Sequence, residues 1–169
     1  MLNRLRDVFS SLQKHKVEYV VIGGLAAVLH GVPRATFDLD MLIEATPENA
    51  QRLLDAFLEA NLGTASLISA EGLLAHEITI FQDRVRIDVQ TTTPGLLFND
   101  AWQNREIMEY RGQAFYVVSR DDLIASKRAA GREVDLEDVR LLELADVEHE
   151  TPSALATRPS PLVTGDKQP

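Results

Sequence analysis

The residues best suited to chemistry are two aspartates set two apart in an apolar run, Phe37-Asp38-Leu39-Asp40-Met41-Leu42-Ile43. On a β-strand, residues two apart project from the same face, so both carboxylates point one way. Side by side on an apolar strand they repel one another and cost desolvation free energy. A divalent cation relieves both costs, and Mg²⁺ favours one or two carboxylates completed by phosphate oxygens. A third carboxylate is available in Val85-Arg86-Ile87-Asp88-Val89, where Asp88 lies on the face opposite Ile87 and Val89. If that strand neighbours the first, Asp38, Asp40 and Asp88 can hold two metal ions across one phosphoryl centre. One ion then stabilises a leaving pyrophosphate and the other lowers the pKa of an attacking hydroxyl. The competing reading is structural: a strand edge facing water for the pair, and an exposed pleat position for Asp88.

Upstream, Val20-Val21-Ile22 runs into Gly23-Gly24 and then a helical stretch. Glycines lack a Cβ and let the backbone come close to a ligand. The helix N-terminus directs unpaired N–H groups and its positive dipole end at the same point, which suits a phosphate. A bare turn feeding a helix would look the same, so the glycine pair gains meaning from the aspartates that follow it.

These side chains cooperate only if the intervening elements bring them together. Leu2, Leu5, Val8, Phe9 and Leu12 recur at helical spacing, which predicts an amphipathic helix over residues 2–15. Val17 to Ile22 is a β-branched run, and Leu25 to His30 reads as helical up to Gly31. Leu39 to Ile43 reads as a buried strand. Thr46-Pro47-Glu48 supplies an N-cap, a proline suited to the first helical position and an early acid, opening a helix to about Ala60. Residues 76–90 alternate around a central turn, which predicts a hairpin with Gln82-Asp83 at its tip. A short helix is expected over Pro94 to Trp102, then two short strands over 105–118 broken near Arg111-Gly112. Ser119 caps a helix through Ala130, and a last helix covers roughly 135–147. This order predicts an α/β (α+β) fold, a small mixed β-sheet flanked by helices, with further helices at the C-terminal end. Residues 1–147 form the expected domain. From Glu148 the prolines and small residues predict a disordered tail, 148–169.

Composition narrows the partners. At 169 residues the chain suits one domain with a sizeable core. It has no apolar run long enough to span a bilayer, and Met1-Leu2-Asn3-Arg4 lacks the layout of a secretory signal, so no membrane partner is expected. The absence of cysteine rules out disulfides and thiolate metal sites, which makes a cytoplasmic location the default expectation. A net charge of −9 argues against loose wrapping of nucleic acid, which relies on phosphate neutralisation. A local basic rim drawn from Arg34, Arg84, Arg86, Lys127, Arg128 and Arg132 stays open.

Taken together, Gly-Gly, a helix, hydrophobic-Asp-x-Asp-hydrophobic and a later hydrophobic-Asp-hydrophobic resemble the DNA polymerase beta-like nucleotidyltransferase superfamily. More narrowly, Gly23-Gly24-Leu25-Ala26, His30-Gly31 and Arg34-Ala35-Thr36-Phe37-Asp38-Leu39-Asp40 look like the AbiEii/MenT-type nucleotidyltransferase toxins of toxin–antitoxin systems. Ser119 to Arg132 is similar to that family's lysine-bearing helix, and Asp135-Leu136-Glu137-Asp138-Val139 to its acidic segment, so the likeness spans about residues 17–145. The resemblance implies a nucleotidyltransferase fold that transfers a nucleoside monophosphate from an NTP to an acceptor hydroxyl with Mg²⁺. It implies that Gly23 and Gly24 cradle the phosphates, that Asp38, Asp40 and Asp88 bind metal, and that Asp88 acts as a base. Lys127 is then expected to reach the triphosphate, with Arg34 and Thr36 contacting phosphate or ordering the metal loop. Asp135 or Asp138 is implied as an anchor for Lys127 or Arg128, with a solvated acidic face as the alternative; His30 and His76 read as structural. Candidate acceptors are a tRNA 3′ end, a protein side chain or a small molecule such as an aminoglycoside, and a cognate antitoxin is an implied partner.

Two features depart from the family pattern. Many members carry Gly-Ser where this chain has Gly23-Gly24, so a hydroxyl contact is missing. At this length the large C-terminal helical domain that often builds the acceptor pocket is not expected, so acceptor recognition is expected from a dimer mate, from a partner protein or not at all. A catalytically silent binding module of the same fold, or a structural partner in a toxin–antitoxin pair, is therefore the alternative reading.

Overall fold

The N-terminal periodicity forms a helix, α1 (Leu2–Lys14), that buries Leu5, Val8, Phe9 and Leu12. The computed structural model describes residues 1–149. The first strand, β1 (Tyr19–Ile22), begins two residues later than Val17, because the Val17 amide still donates to the Leu12 carbonyl and Lys16 turns through a positive φ. It runs straight into α2 (Gly23–Leu29), and β2 (Asp38–Ile43) follows. Thr46 caps α3 (Pro47–Glu59) as its sequence predicts, its hydroxyl accepting from the Asn49 amide at 3.3 Å.

A 3-10 turn (Gly63–Leu67) and a short helix, α4 (Ala70–Leu74), fill a stretch in which no periodicity predicts an element. The hairpin is formed by β3 (Ile78–Gln82) and β4 (Arg86–Gln90). Gln82 pairs with Arg86 rather than sitting at the tip, which lies at 83–85, because the Asp83 carboxylate is tied to Thr64. The next helix, α5 (Phe98–Asn104), starts four residues after Pro94. Gly95 is the cause: it adopts φ +67°, outside the right-handed helical range, where a Cβ would lie 2.6 Å from that of Ala129. Then come β5 (Glu106–Tyr110), β6 (Gln113–Val117), α6 (Arg120–Ala130) and α7 (Glu133–His149). Ser119 caps α6, and Gly131 at φ +67° ends it. Helix α7 runs two residues past the boundary expected at 147; residues 150–169 of the expected tail lie outside the described residues. No helix among the described residues is long and apolar enough to cross a membrane.

The six strands make one mixed sheet in the order β3-β4-β2-β1-β6-β5, giving the expected α/β architecture. Leu39, Met41, Ile87 and Val89 are buried on one face, where Phe57 of α3 meets Phe81 of β3 edge-on at 5.1 Å. Because strand side chains alternate, that burial fixes the register and turns Asp38, Asp40, Arg86 and Asp88 to the opposite face.

Candidate active site

The site is built where β2 and β4 run parallel. Their register pairs Asp38 with Arg86 and Asp40 with Asp88, while β1 on the other side sets Ile22 against Asp40. The three carboxylates singled out in the sequence therefore share one patch of sheet. They form the floor of a cleft of about 590 Å³, whose lining includes Gly23, Gly24, Arg34, Thr36, Lys127 and Arg132. Every residue expected at the site lines this cleft.

The floor is electrostatically strained. Burial, then the neighbouring charges of Asp88 and Asp38, push the Asp40 carboxyl up to about 6, despite the opposing pull of Lys127 and Arg132. The donors are oxygens only, the chemistry a hard divalent cation prefers. Among the described residues, however, no three His, Cys, Asp or Glu side chains stand ready grouped around a metal position. Both Asp88 oxygens are engaged: Arg86 Nε donates to Oδ1 and a terminal guanidinium nitrogen to Oδ2, each at 2.9 Å.

The opposite wall comes from α6 and α7. Lys127 is buried, 2.8 Å from Asp138 and 3.2 Å from Asp135, both of them buried carboxylates. Arg34 forks onto Asp138 through two nitrogens at 2.9 Å, and Arg132 onto Asp135 at 2.6 and 3.1 Å. Burial alone would raise the Asp135 carboxyl, but hydrogen bonds from Arg132 and the Lys127 charge outweigh it and hold it low. Three cations thus share two carboxylates, so the wall keeps a surplus positive charge facing an acidic floor.

The glycine pair has a role beyond ligand approach. A Cβ on Gly23, at φ +67°, would lie 2.4 Å from Asp40 Oδ2, and one on Gly24 would lie 2.9 Å from the Arg34 guanidinium. The turn is bare so that the site's own acid and base can lie against it. Of the six basic residues that the sequence leaves as a possible rim, Arg34, Arg86, Lys127 and Arg132 line the cleft. Arg84 instead donates to the Arg4 and Ala60 carbonyls, and Arg128 pairs with Glu143 on the surface. His30 and His76 are structural, contacting the Val118 and Gly72 carbonyls at 2.8 and 2.7 Å. In the sequence alone Arg86 and Arg132 stand out only as candidate rim charges. The spacing of Arg86 from Asp88, two residues on one strand, is the signal that places it within the site.

Residues 2–151 match the model of a family described as nucleotidyltransferase of unknown function, DUF6036. Two solved structures share the fold. One is a candidate nucleotidyltransferase from Thermotoga maritima, at TM-score 0.50 and 19% identity, covering 87% of this chain and 92% of that one. The other is an antigenic nucleotidyltransferase-like protein from Paracoccidioides brasiliensis, at TM-score 0.54 and 15% identity, covering 89% and 77%. Likeness at these identities establishes the fold alone. No curated protein matches the chain.

Proposed function

The chain belongs to this nucleotidyltransferase family, and on that premise we propose that it moves a nucleoside monophosphate from an NTP to an acceptor hydroxyl with Mg²⁺ as cofactor. The observation that carries the reading is the Asp40–Asp88 pairing on the face Asp38 shares, opposite the Lys127, Arg34 and Arg132 wall. An acidic floor facing a cationic wall suits a metal-bound triphosphate. Asp38 and Asp40 would hold Mg²⁺, with Asp88 able to join once its Arg86 contact opens. When bound, the ion withdraws charge from phosphoryl oxygens and favours the ionised form of a nearby hydroxyl.

The chain's own residues do the rest. Gly23 and Gly24 leave room for phosphates beside Arg34 and Thr36. Lys127, Arg34 and Arg132 supply positive charge where negative charge builds up on the departing pyrophosphate. The acceptor oxygen bonds to the α-phosphorus as the bond from that phosphorus to the pyrophosphate oxygen breaks. Asp88 takes the hydroxyl proton once the Arg86 contact has opened and freed its oxygens to accept. The likeness to AbiEii/MenT-type toxins supports a cytoplasmic toxin restrained by a cognate antitoxin, with a tRNA end or protein side chain as acceptor; a small molecule is the other acceptor class.

The test is incubation with each α-phosphate-labelled NTP, Mg²⁺ and, in turn, tRNA, cell protein and aminoglycoside. Label transfer is expected with one acceptor class and is expected to vanish in the Asp38→Ala/Asp40→Ala variant. Transfer that survives both substitutions would sink the assignment. Nucleotide binding that needs no divalent ion and yields no turnover would instead mark a silent binding module.

A further inference from the structure

We propose that Arg86 is a resident counter-cation of the acidic floor, holding Asp88 and competing with a divalent ion for it. This rests on the function proposed above. Each of the other cleft cations is anchored by a buried carboxylate outside the floor: Lys127 and Arg34 by Asp138, Lys127 and Arg132 by Asp135. Arg86 differs. Among the described residues its ion-pair partners are Asp88, at 2.9 Å, and Asp38, at 3.9 Å, both members of the floor.

The contact to Asp88 is a two-pronged fork, the strongest class of arginine–carboxylate hydrogen bond. Its charge is permanent, because a guanidinium does not lose its proton in proteins. The Asp88 side chain is only 14% exposed, whereas that of Arg86 is 39% exposed, so the guanidinium can leave toward solvent while Asp88 stays. With Arg86 in place, three carboxylates and one guanidinium sum to −2, a charge one divalent ion balances. With Arg86 withdrawn the floor is −3 and Asp88 is free to ligate. A divalent ion on Asp88 would sit against a fixed positive charge, so Arg86 weakens metal binding until an incoming anionic ligand gives it another partner. Arg86 is thus a positioning residue for Asp88.

The full chain, free of nucleotide, is titrated with Mn²⁺ and bound ion is counted by electron paramagnetic resonance. Arg86→Ala is expected to bind Mn²⁺ about tenfold more tightly than wild type. Arg86→Lys, which keeps the charge, is expected to stay near wild type, and the gain is expected to disappear in Arg86→Ala/Asp88→Asn. Circular dichroism establishes that each variant is folded. Wild type and Arg86→Ala of equal affinity, or a gain that persists without Asp88, overturns the role of Arg86 alone, provided Asp38→Ala/Asp40→Ala abolishes Mn²⁺ binding. No Mn²⁺ binding by any variant overturns this inference and the metal-dependent function together.

Discussion

The two sides of the cleft hold their charges differently. On the helical side, Asp135 and Asp138 are 2% and 1% exposed, yet each is ion-paired with two cations, so burial is compensated. On the sheet side, among the described residues, Asp38, Asp40 and Asp88 have a single arginine as ion-pair partner between them, and the Asp40 carboxyl is pushed up to about 6. A fold tolerates buried charge when its partners are built in, and it leaves charge uncompensated where a ligand is to supply the balance. The helical wall reads as scaffold that aims Lys127 and Arg34. The sheet floor reads as the working surface.

This contrast can be broken most forcefully from the scaffold side. Asp138→Ala takes the carboxylate from Arg34 and leaves the buried Lys127 with Asp135 alone, and loss of one partner from a buried pair costs about 3–5 kcal/mol. A fall in melting temperature on the order of 10 °C is the expected result, measured by thermal denaturation; an unchanged melt would show that the network is not structural.

On the floor the sign reverses. The folded-state value of Asp40, about 6, lies above its ordinary 3.8, so the folded protein binds that proton more tightly than the unfolded chain. The resulting cost is absent below the ordinary value, grows as pH rises between the two values, and is complete above about 6. Asp40→Asn in chelator should therefore gain about 1–3 kcal/mol at neutral pH and nothing in strong acid. Urea melts across pH measure it, and a neutral-pH loss of stability would contradict the strained-floor picture.

Gly23→Ala joins the two regions at their seam. The left-handed φ costs about 1–2 kcal/mol for a residue with a Cβ, and that Cβ collides with the Asp40 carboxylate. A modest stability loss with a larger loss of Mn²⁺ affinity is expected; equal affinity would remove the glycine from the site. The smallest effect belongs outside the cleft. Arg128→Ala breaks only an exposed pair with Glu143 and should change stability by less than about 0.5 kcal/mol, with label transfer unaltered.

Much of the fold was legible locally. Helical spacing gave α1, Thr46 and Ser119 gave two helix starts, and alternation gave the β3–β4 hairpin, because each signal depends on neighbours in the chain. Local signals failed where a distant group decides. Pro94 invites a helix start, but Gly95 packs against Ala129 and delays it. The hairpin tip shifts because Asp83 is tied to Thr64. The sequence likewise left Asp135 and Asp138 balanced between anchors and a solvated face. Their burial against Lys127 depends on how α7 packs on α6.

By itself the sequence determined that Asp38 and Asp40 share a face, since a strand's two-residue period requires it, and that a glycine turn precedes them. It also determined that Asp88 faces away from Ile87 and Val89. Only the tertiary structure decided that β4 lies beside β2, which turns a lone aspartate into the third member of a cluster. It also decided which cations reach the floor. Pairing between strands and packing of helices across the sheet depend on contacts between residues far apart in the chain, and a sequence pattern records which face a residue takes without recording whose face it meets.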